Sequence, residues 1–155
     1  VIALPDEDST RHVGVVLAKL VEGGDAIALV GDLGAGKTTL VGGLVGALGG
    51  GPASSPTFSL VNEYPAGRLV VWHVDLYRLE RAAELPELGL DDVIGDRRGI
   101  CVVEWADRFS VMPPDHLRLE LVHAGETRAL IPAGTGPRGT ALASALEAEL
   151  LGSGS

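Results

Sequence analysis

The chain has 155 residues, 46% of them hydrophobic and 21% charged, and its 12 basic against 21 acidic side chains give a net charge of −9. That length suits one domain around a single core, the composition excludes disorder throughout, and the acidic balance excludes holding a nucleic-acid backbone by counterion release alone, so any RNA would have to be reached through a partner. No apolar run approaches the ~20 residues of a membrane span, the start "VIALPDEDSTRH" lacks a signal peptide's basic and apolar segments, and the single cysteine, Cys101, predicts a buried thiol; a cytoplasmic protein with no membrane contact is expected.

In chain order, "PDEDST" offers helix-capping side chains, and the apolar positions Val13, Val16, Leu17, Leu20 and Val21 mark one face of a helix over residues 9 to 22, ended by Gly23 and Gly24. "DAIALVG" reads as a central strand over 25 to 30, and "KTTLVGGLVGALGG" as a helix over 37 to 48, weakened by its internal glycines. "SLVNEY" and "RLVVWHVDLYR" flank "PAG", which predicts an antiparallel hairpin of residues 59 to 64 and 68 to 75. "LERAAELPELGLDDVI" is a helical stretch interrupted at Pro86, "GICVVEW" a buried strand over 99 to 104, and "HLRLELVHAGETRALIPAG" a second hairpin turning at "HAGE". "ALASALEAELL" closes with a helix, so residues 1–150 form the domain and residues 151–155, ending in "GSGS", a flexible tail.

The stretch "GDLGAGKT", residues 31 to 38, fits G-x-x-x-x-G-K-[ST] without a mismatch and lies between a predicted strand and a predicted helix, the setting a phosphate-binding loop requires. Glycines at 34 and 36 let the backbone of Leu33, Gly34, Ala35 and Gly36 wrap a phosphate, and the N–H groups at the helix start face its oxygens. Lys37 supplies a cation for the β- and γ-phosphates, Thr38 a hydroxyl for Mg²⁺, and Thr39 either reaches the α-phosphate or caps the helix. Such a loop needs an acid at the end of a neighbouring strand, and two are offered, Asp75 in "HVDLYRL" and Glu104 in "VVEW". Either could instead simply cap the segment that follows it.

"SSPTFSL", residues 54 to 60, stands where a nucleotide switch places a γ-phosphate-sensing loop, or is a plain turn entering a strand. There is no N-K-x-D guanine-reading motif, and the D-x-x-G at Asp92 to Gly95 follows a helix, which leaves ATP by elimination. Arg78, Arg81, Arg97 and Arg98 either supply charge to a transition state or form solvated surface. Tyr77 and Trp105 fit ordinary aromatic anchors, and His73 fits a core or strand-surface histidine better than a zinc ligand.

Together, "GDLGAGKTTL", "SSPTFSLVNEY", "HVDLYRL" and "VVEWADRF", in this order and spacing, resemble the TsaE (YjeE) family of bacterial tRNA threonylcarbamoyladenosine biosynthesis proteins, over roughly residues 4 to 134. The resemblance implies a single-domain α/β, P-loop NTPase-like fold, a mixed central sheet with helices on both faces, and a slow cytoplasmic ATPase that uses ATP and Mg²⁺. It implies two partner proteins, TsaB and TsaD, which carry out the threonylcarbamoyl transfer to the adenosine beside the anticodon while the ATPase resets their assembly. By the same resemblance Lys37 and Thr38 match the phosphate and Mg²⁺ positions, Glu104 the Mg²⁺ acid, and Asp75 an acid assisting hydrolysis at the metal. Ser55, Pro56 and Thr57 match a first switch, with Trp105 beside a second; Glu7 and Thr10 match an adenine-side segment, and Arg128 is a cation from the last hairpin. A P-loop small-molecule kinase, with "GDRRG" as its one lid-like sign, and a nucleotide-binding scaffold that never hydrolyses are the alternative readings.

Overall fold

The computed structural model describes residues 1–31, 36–51, 61–76, 89–106 and 111–152. Its elements are β1 (Ile2–Leu4), α1 (Glu7–Leu20), β2 (Ala26–Gly31), α2 (Lys37–Leu48), β3 (Val61–Ala66), β4 (Leu69–Asp75), α3 (Leu90–Val93), β5 (Gly99–Glu104), β6 (His116–Ala124), β7 (Thr127–Thr135) and α4 (Gly136–Gly152).

The seven strands form one sheet in the order β1-β7-β6-β2-β5-β4-β3. The four inner strands β6, β2, β5 and β4 are parallel, while β3, β7 and β1 join antiparallel at the two sides. Every residue of β5 is buried, which explains why "GICVVE" is an apolar run rather than an alternating one. On one face of the sheet, Ile27, Leu29, Ile100, Val102, Leu117 and Leu119 pack beneath the apolar sides of α1, α2 and α4. On the other, Trp72, Val74, Cys101 and Val103 form a smaller core with Leu76, Leu90 of α3 and Ala106. The mixed sheet with helices on both faces is therefore present, with the three long described helices all on the first face.

Local chemistry sets the helix ends. Asp6 caps α1: its Oδ1 accepts from the Ser9 N–H at 2.8 Å and the Ser9 hydroxyl at 2.7 Å, and these bonds hold its carboxyl below the usual range. The helix therefore begins at Glu7, two residues before the sequence pattern suggests, and stops at Leu20, ahead of the glycine pair. α2 matches its expected bounds and ends in a left-handed Gly49, with the Gly50 N–H donating to the Val45 carbonyl at 2.8 Å. A close helix crossing explains one of the glycines that looked like weaknesses. A Cβ at Gly43 would lie 2.1 Å from the Arg11 carbonyl, and one at Gly14 would lie 2.1 Å from the Leu40 carbonyl, so α1 and α2 cross at backbone contact.

The first hairpin turns at Gly67 and Arg68, with Pro65 and Ala66 inside β3 rather than in the connection. Residues 59 and 60, and 79 to 88 of the proline-interrupted stretch, lie outside the described residues; the remainder of that stretch holds the short α3. β1 has no counterpart in the sequence reading: three residues pair with β7, matching Ile2 to Leu130 and Leu4 to Arg128. α4 starts at Gly136, five residues before "ALASALEAELL", because Asp115 caps it from across a loop, Oδ1 accepting from the Gly139 N–H at 2.7 Å and Oδ2 from the Arg138 N–H at 3.2 Å. The Arg138 guanidinium then reaches Asp25 at the start of β2, donating to both carboxylate oxygens at 3.0 and 2.9 Å, and to the Leu20 carbonyl at 2.8 Å.

Candidate functional site

Because β4, β5 and β2 are parallel, their C-terminal ends meet at one side of the sheet, where β2 ends at Gly31 and Gly36 stands immediately before α2. Open α/β sheets bind ligands at such strand ends. Gly36 has φ +104°, and a Cβ there would also lie 3.2 Å from the Thr10 methyl, so the position requires glycine on two counts. Leu33, Gly34 and Ala35, central to the expected phosphate cradle, lie outside the described residues, as do Ser55, Pro56, Thr57, Tyr77, Arg78 and Arg81.

Lys37 opens α2 and is buried, 6% exposed. Its ammonium donates to the Gly31 carbonyl at 2.6 Å, lies 3.8 Å from Glu104 Oε1 and sits 4.0 Å from the centre of the Trp105 ring. Burying a cation requires such compensation, here a carbonyl, a carboxylate and an aromatic face. Trp105 is the one non-glycine residue with positive φ among the described residues, at +60°, a conformation disfavoured for a bulky side chain.

Glu104 is the last residue of β5, 4% exposed, and in register with Asp75, the last residue of β4. Asp75 is only half-buried. The two acids that the sequence places at strand ends are thus register neighbours, with Lys37 beside Glu104, and Thr38 and Thr39 lie in the first turn of α2. This donor set is all oxygen, two carboxylates and a hydroxyl, which suits a hard cation such as Mg²⁺. His73, two residues before Asp75 and fully buried, shares this face of β4, and its Nε2 meets Glu104 Oε2. The sequence left His73 as a core or strand-surface histidine and did not reveal this partner; the signal was the i, i+2 spacing of His73 and Asp75, which puts both on one face of a strand.

Beside the α2 start lies a cavity of about 270 Å³. Leu4, Glu7, Thr10, Gly36, Thr39 and Arg128 line it, so the residues assigned to the adenine side and the hairpin cation share one hollow with the loop's last glycine. The Thr39 hydroxyl is 3.5 Å from Glu7 Oε1 across it. Arg97 and Arg98 lie elsewhere. They precede β5, whereas Glu104 ends it, a separation of about 20 Å along an extended strand, and Arg98 is engaged by Asp96 at 2.7 Å. The "GDRRG" segment is therefore neither a source of charge for this site nor a lid over it.

A parallel-centred sheet that carries G-x-x-x-x-G-K-T between β2 and α2, with acids at the adjacent strand ends, defines a P-loop NTPase-like fold. The profile of "Threonylcarbamoyl adenosine biosynthesis protein TsaE" matches residues 4–130, and the chain belongs to this family. Curated proteins called tRNA threonylcarbamoyladenosine biosynthesis protein TsaE are similar to it: that of a Nostoc strain is 42% identical over 129 residues, 81% of this chain and 79% of its own. That of Bacillus subtilis is 37% identical over 121 residues, 77% of this chain and 75% of its own. The crystal structure of YdiB from Bacillus subtilis superposes with a TM-score of 0.77 at 30% identity, covering 94% of this chain and 91% of the other. No helix among the described residues is long and apolar enough to cross a membrane.

Proposed function

We propose that this chain is a Mg²⁺-dependent, ATP-binding and ATP-hydrolysing cytoplasmic subunit required for threonylcarbamoyladenosine modification of tRNA next to the anticodon, acting with TsaB and TsaD as a nucleotide switch. The observation that carries this reading is the burial of Lys37 at the head of α2 between the Gly31 carbonyl, Glu104 and Trp105. A desolvated ammonium held at a glycine-rich strand-to-helix turn is built to receive phosphate oxygens.

In this reading the backbone of residues 33 to 36 and Lys37 grip the phosphates, while the cavity bounded by Glu7, Thr10, Thr39 and Arg128 receives the base and sugar. Thr38, Glu104 and Asp75 would hold Mg²⁺, which when bound neutralises charge on the β- and γ-phosphate oxygens. Asp75, the more accessible acid, orients the attacking water, and Lys37 stabilises charge on the phosphoryl group by fixed placement rather than by forming a bond. Ser55, Pro56 and Thr57 form the first switch and Trp105 borders the second, so the nucleotide state is relayed to the partners. The net charge of −9 fits a subunit that meets tRNA only through TsaB and TsaD. The small-molecule kinase reading loses its lid, since "GDRRG" stands at the opposite end of β5.

The deciding experiment follows tRNA threonylcarbamoylation over many turnovers with TsaB, TsaD and ATP, with and without this chain. Sustained turnover that requires this protein and is lost with Lys37→Ala supports the reading; turnover indifferent to the protein overturns it.

A further inference from the structure

We propose that His73 is a positioning residue for Glu104: its Nε2–H holds Glu104 Oε2 and thereby presents Oε1 to Lys37 and the phosphate side of the site. The inference rests on the proposed nucleotide and Mg²⁺ reading and assigns within it a role to a residue that touches neither.

Three buried side chains meet in a fixed order. His73 is fully buried and contacts Oε2 of Glu104, while Lys37 lies 3.8 Å from Oε1. A glutamate side chain has three free torsions, and one that carries a metal or a phosphate-side charge works only if those torsions are held. A carboxylate only accepts hydrogen bonds, so the proton of this contact belongs to His73 Nε2. The other ring nitrogen, Nδ1, has no hydrogen-bond partner among the described residues. Among the described residues, the imidazole's hydrogen bonding is therefore directed at Glu104.

A space-filling role does not account for this side chain. His73 sits inside β4, opposite Val102 of β5 and Asn62 of β3, with the Tyr64 ring 6.4 Å away. An apolar residue would fill that place without burying a polar imidazole. The histidine makes sense through the carboxylate it holds.

The test compares the unsubstituted protein with His73→Leu and His73→Gln, the glutamine restoring an N–H near the position of Nε2. ATP affinity is measured by calorimetry over a Mg²⁺ series and again in EDTA. The Mg²⁺ concentration for half-maximal ATP binding should rise at least about tenfold in His73→Leu, as for other residues that orient a metal ligand, with affinity in EDTA unchanged and the glutamine variant near the unsubstituted value. An unchanged Mg²⁺ dependence in folded His73→Leu, or equal losses in both variants, overturns the proposal. Should the variants fail to fold, ¹⁵N spectra of the unsubstituted protein decide: a proton on His73 Nε2 that shifts in Glu104→Gln supports it, and a proton on Nδ1 alone overturns it. If the unsubstituted protein binds ATP with no Mg²⁺ dependence, the metal reading above fails, while the spectra still judge the bond between His73 and Glu104.

Discussion

Asp75 and Glu104 are register partners at the ends of two parallel strands, yet Glu104 is buried against Lys37 and His73 while Asp75 remains half-open to solvent. Neighbouring acids in unlike surroundings divide labour. Glu104→Gln removes the carboxylate charge beside the buried Lys37 ammonium, and should lower stability by about 1–3 kcal/mol as well as weaken MgATP binding. Asp75→Asn should weaken MgATP binding less than Glu104→Gln does and slow hydrolysis by about 10²-fold. Calorimetric titration with denaturant unfolding, beside a phosphate-release assay, separates the two outcomes.

The crossing of α1 and α2 predicts opposite signs for glycine-to-alanine changes on one helix. Gly43→Ala drives a methyl into the Arg11 carbonyl and Gly14→Ala one into the Leu40 carbonyl; each should destabilise by about 1–3 kcal/mol or more. Gly46 is exposed, with nothing within 4 Å of an added Cβ, so Gly46→Ala should stabilise by about 0.5–1 kcal/mol through helix propensity. Urea midpoints for the three variants provide the measurement.

Burial in the second core pushes the Cys101 thiol up to about 12 from an ordinary 9.0. In the native protein it should resist a thiol reagent at pH 8 and react fully in denaturant. Between pH 9 and 12 the unfolded chain binds fewer protons than the native one at this site, so its contribution to stability is whole below pH 9 and falls as pH rises through that window. Unfolding curves of Cys101→Ala against the unsubstituted protein should show the difference in slope.

The Arg138 pair with Asp25 fastens α4 to the start of β2, and the guanidinium also ties down the Leu20 carbonyl at the end of α1. Arg138→Leu leaves a nearly buried carboxylate without its cation, and should cost about 1.5–3 kcal/mol, as charge-assisted bonds do. Arg138→Lys should recover only part, since one ammonium cannot span both carboxylate oxygens. The pair lies at the sheet end away from Glu104, so MgATP affinity should stay level in both, which calorimetry can verify beside thermal melts.

What could be read from the chain depended on how local the stabilising contacts are. α2 and β5 were legible to the residue because their apolar runs and bounding glycines are contiguous, and the acids at strand ends followed directly. The start of α4 was not, because its cap comes from Asp115, more than twenty residues upstream in the chain. β1 escaped because three residues carry no period, and their pairing is dictated by β7. The partnership of His73 with Glu104 spans 31 residues and needs the β4–β5 register to appear. "GDRRG" looked like a lid only because strand polarity, which puts it at the far end of β5, is invisible to composition. The glycines of α2 were read as a helical defect, whereas Gly43 is where a second helix touches.

Leu4 and Arg128 face one another in the pairing of β1 with β7, and both stand on the wall of the cavity beside α2. That wall is the margin of a sheet, so its position is gauged by peptide-to-peptide spacing and not by how its side chains happen to rest. Replacing Arg128 would change the texture a ligand feels while the opening keeps its width. Unzipping three residues at the beginning of the chain would take away the ruler itself, and with it the fixed width of the hollow.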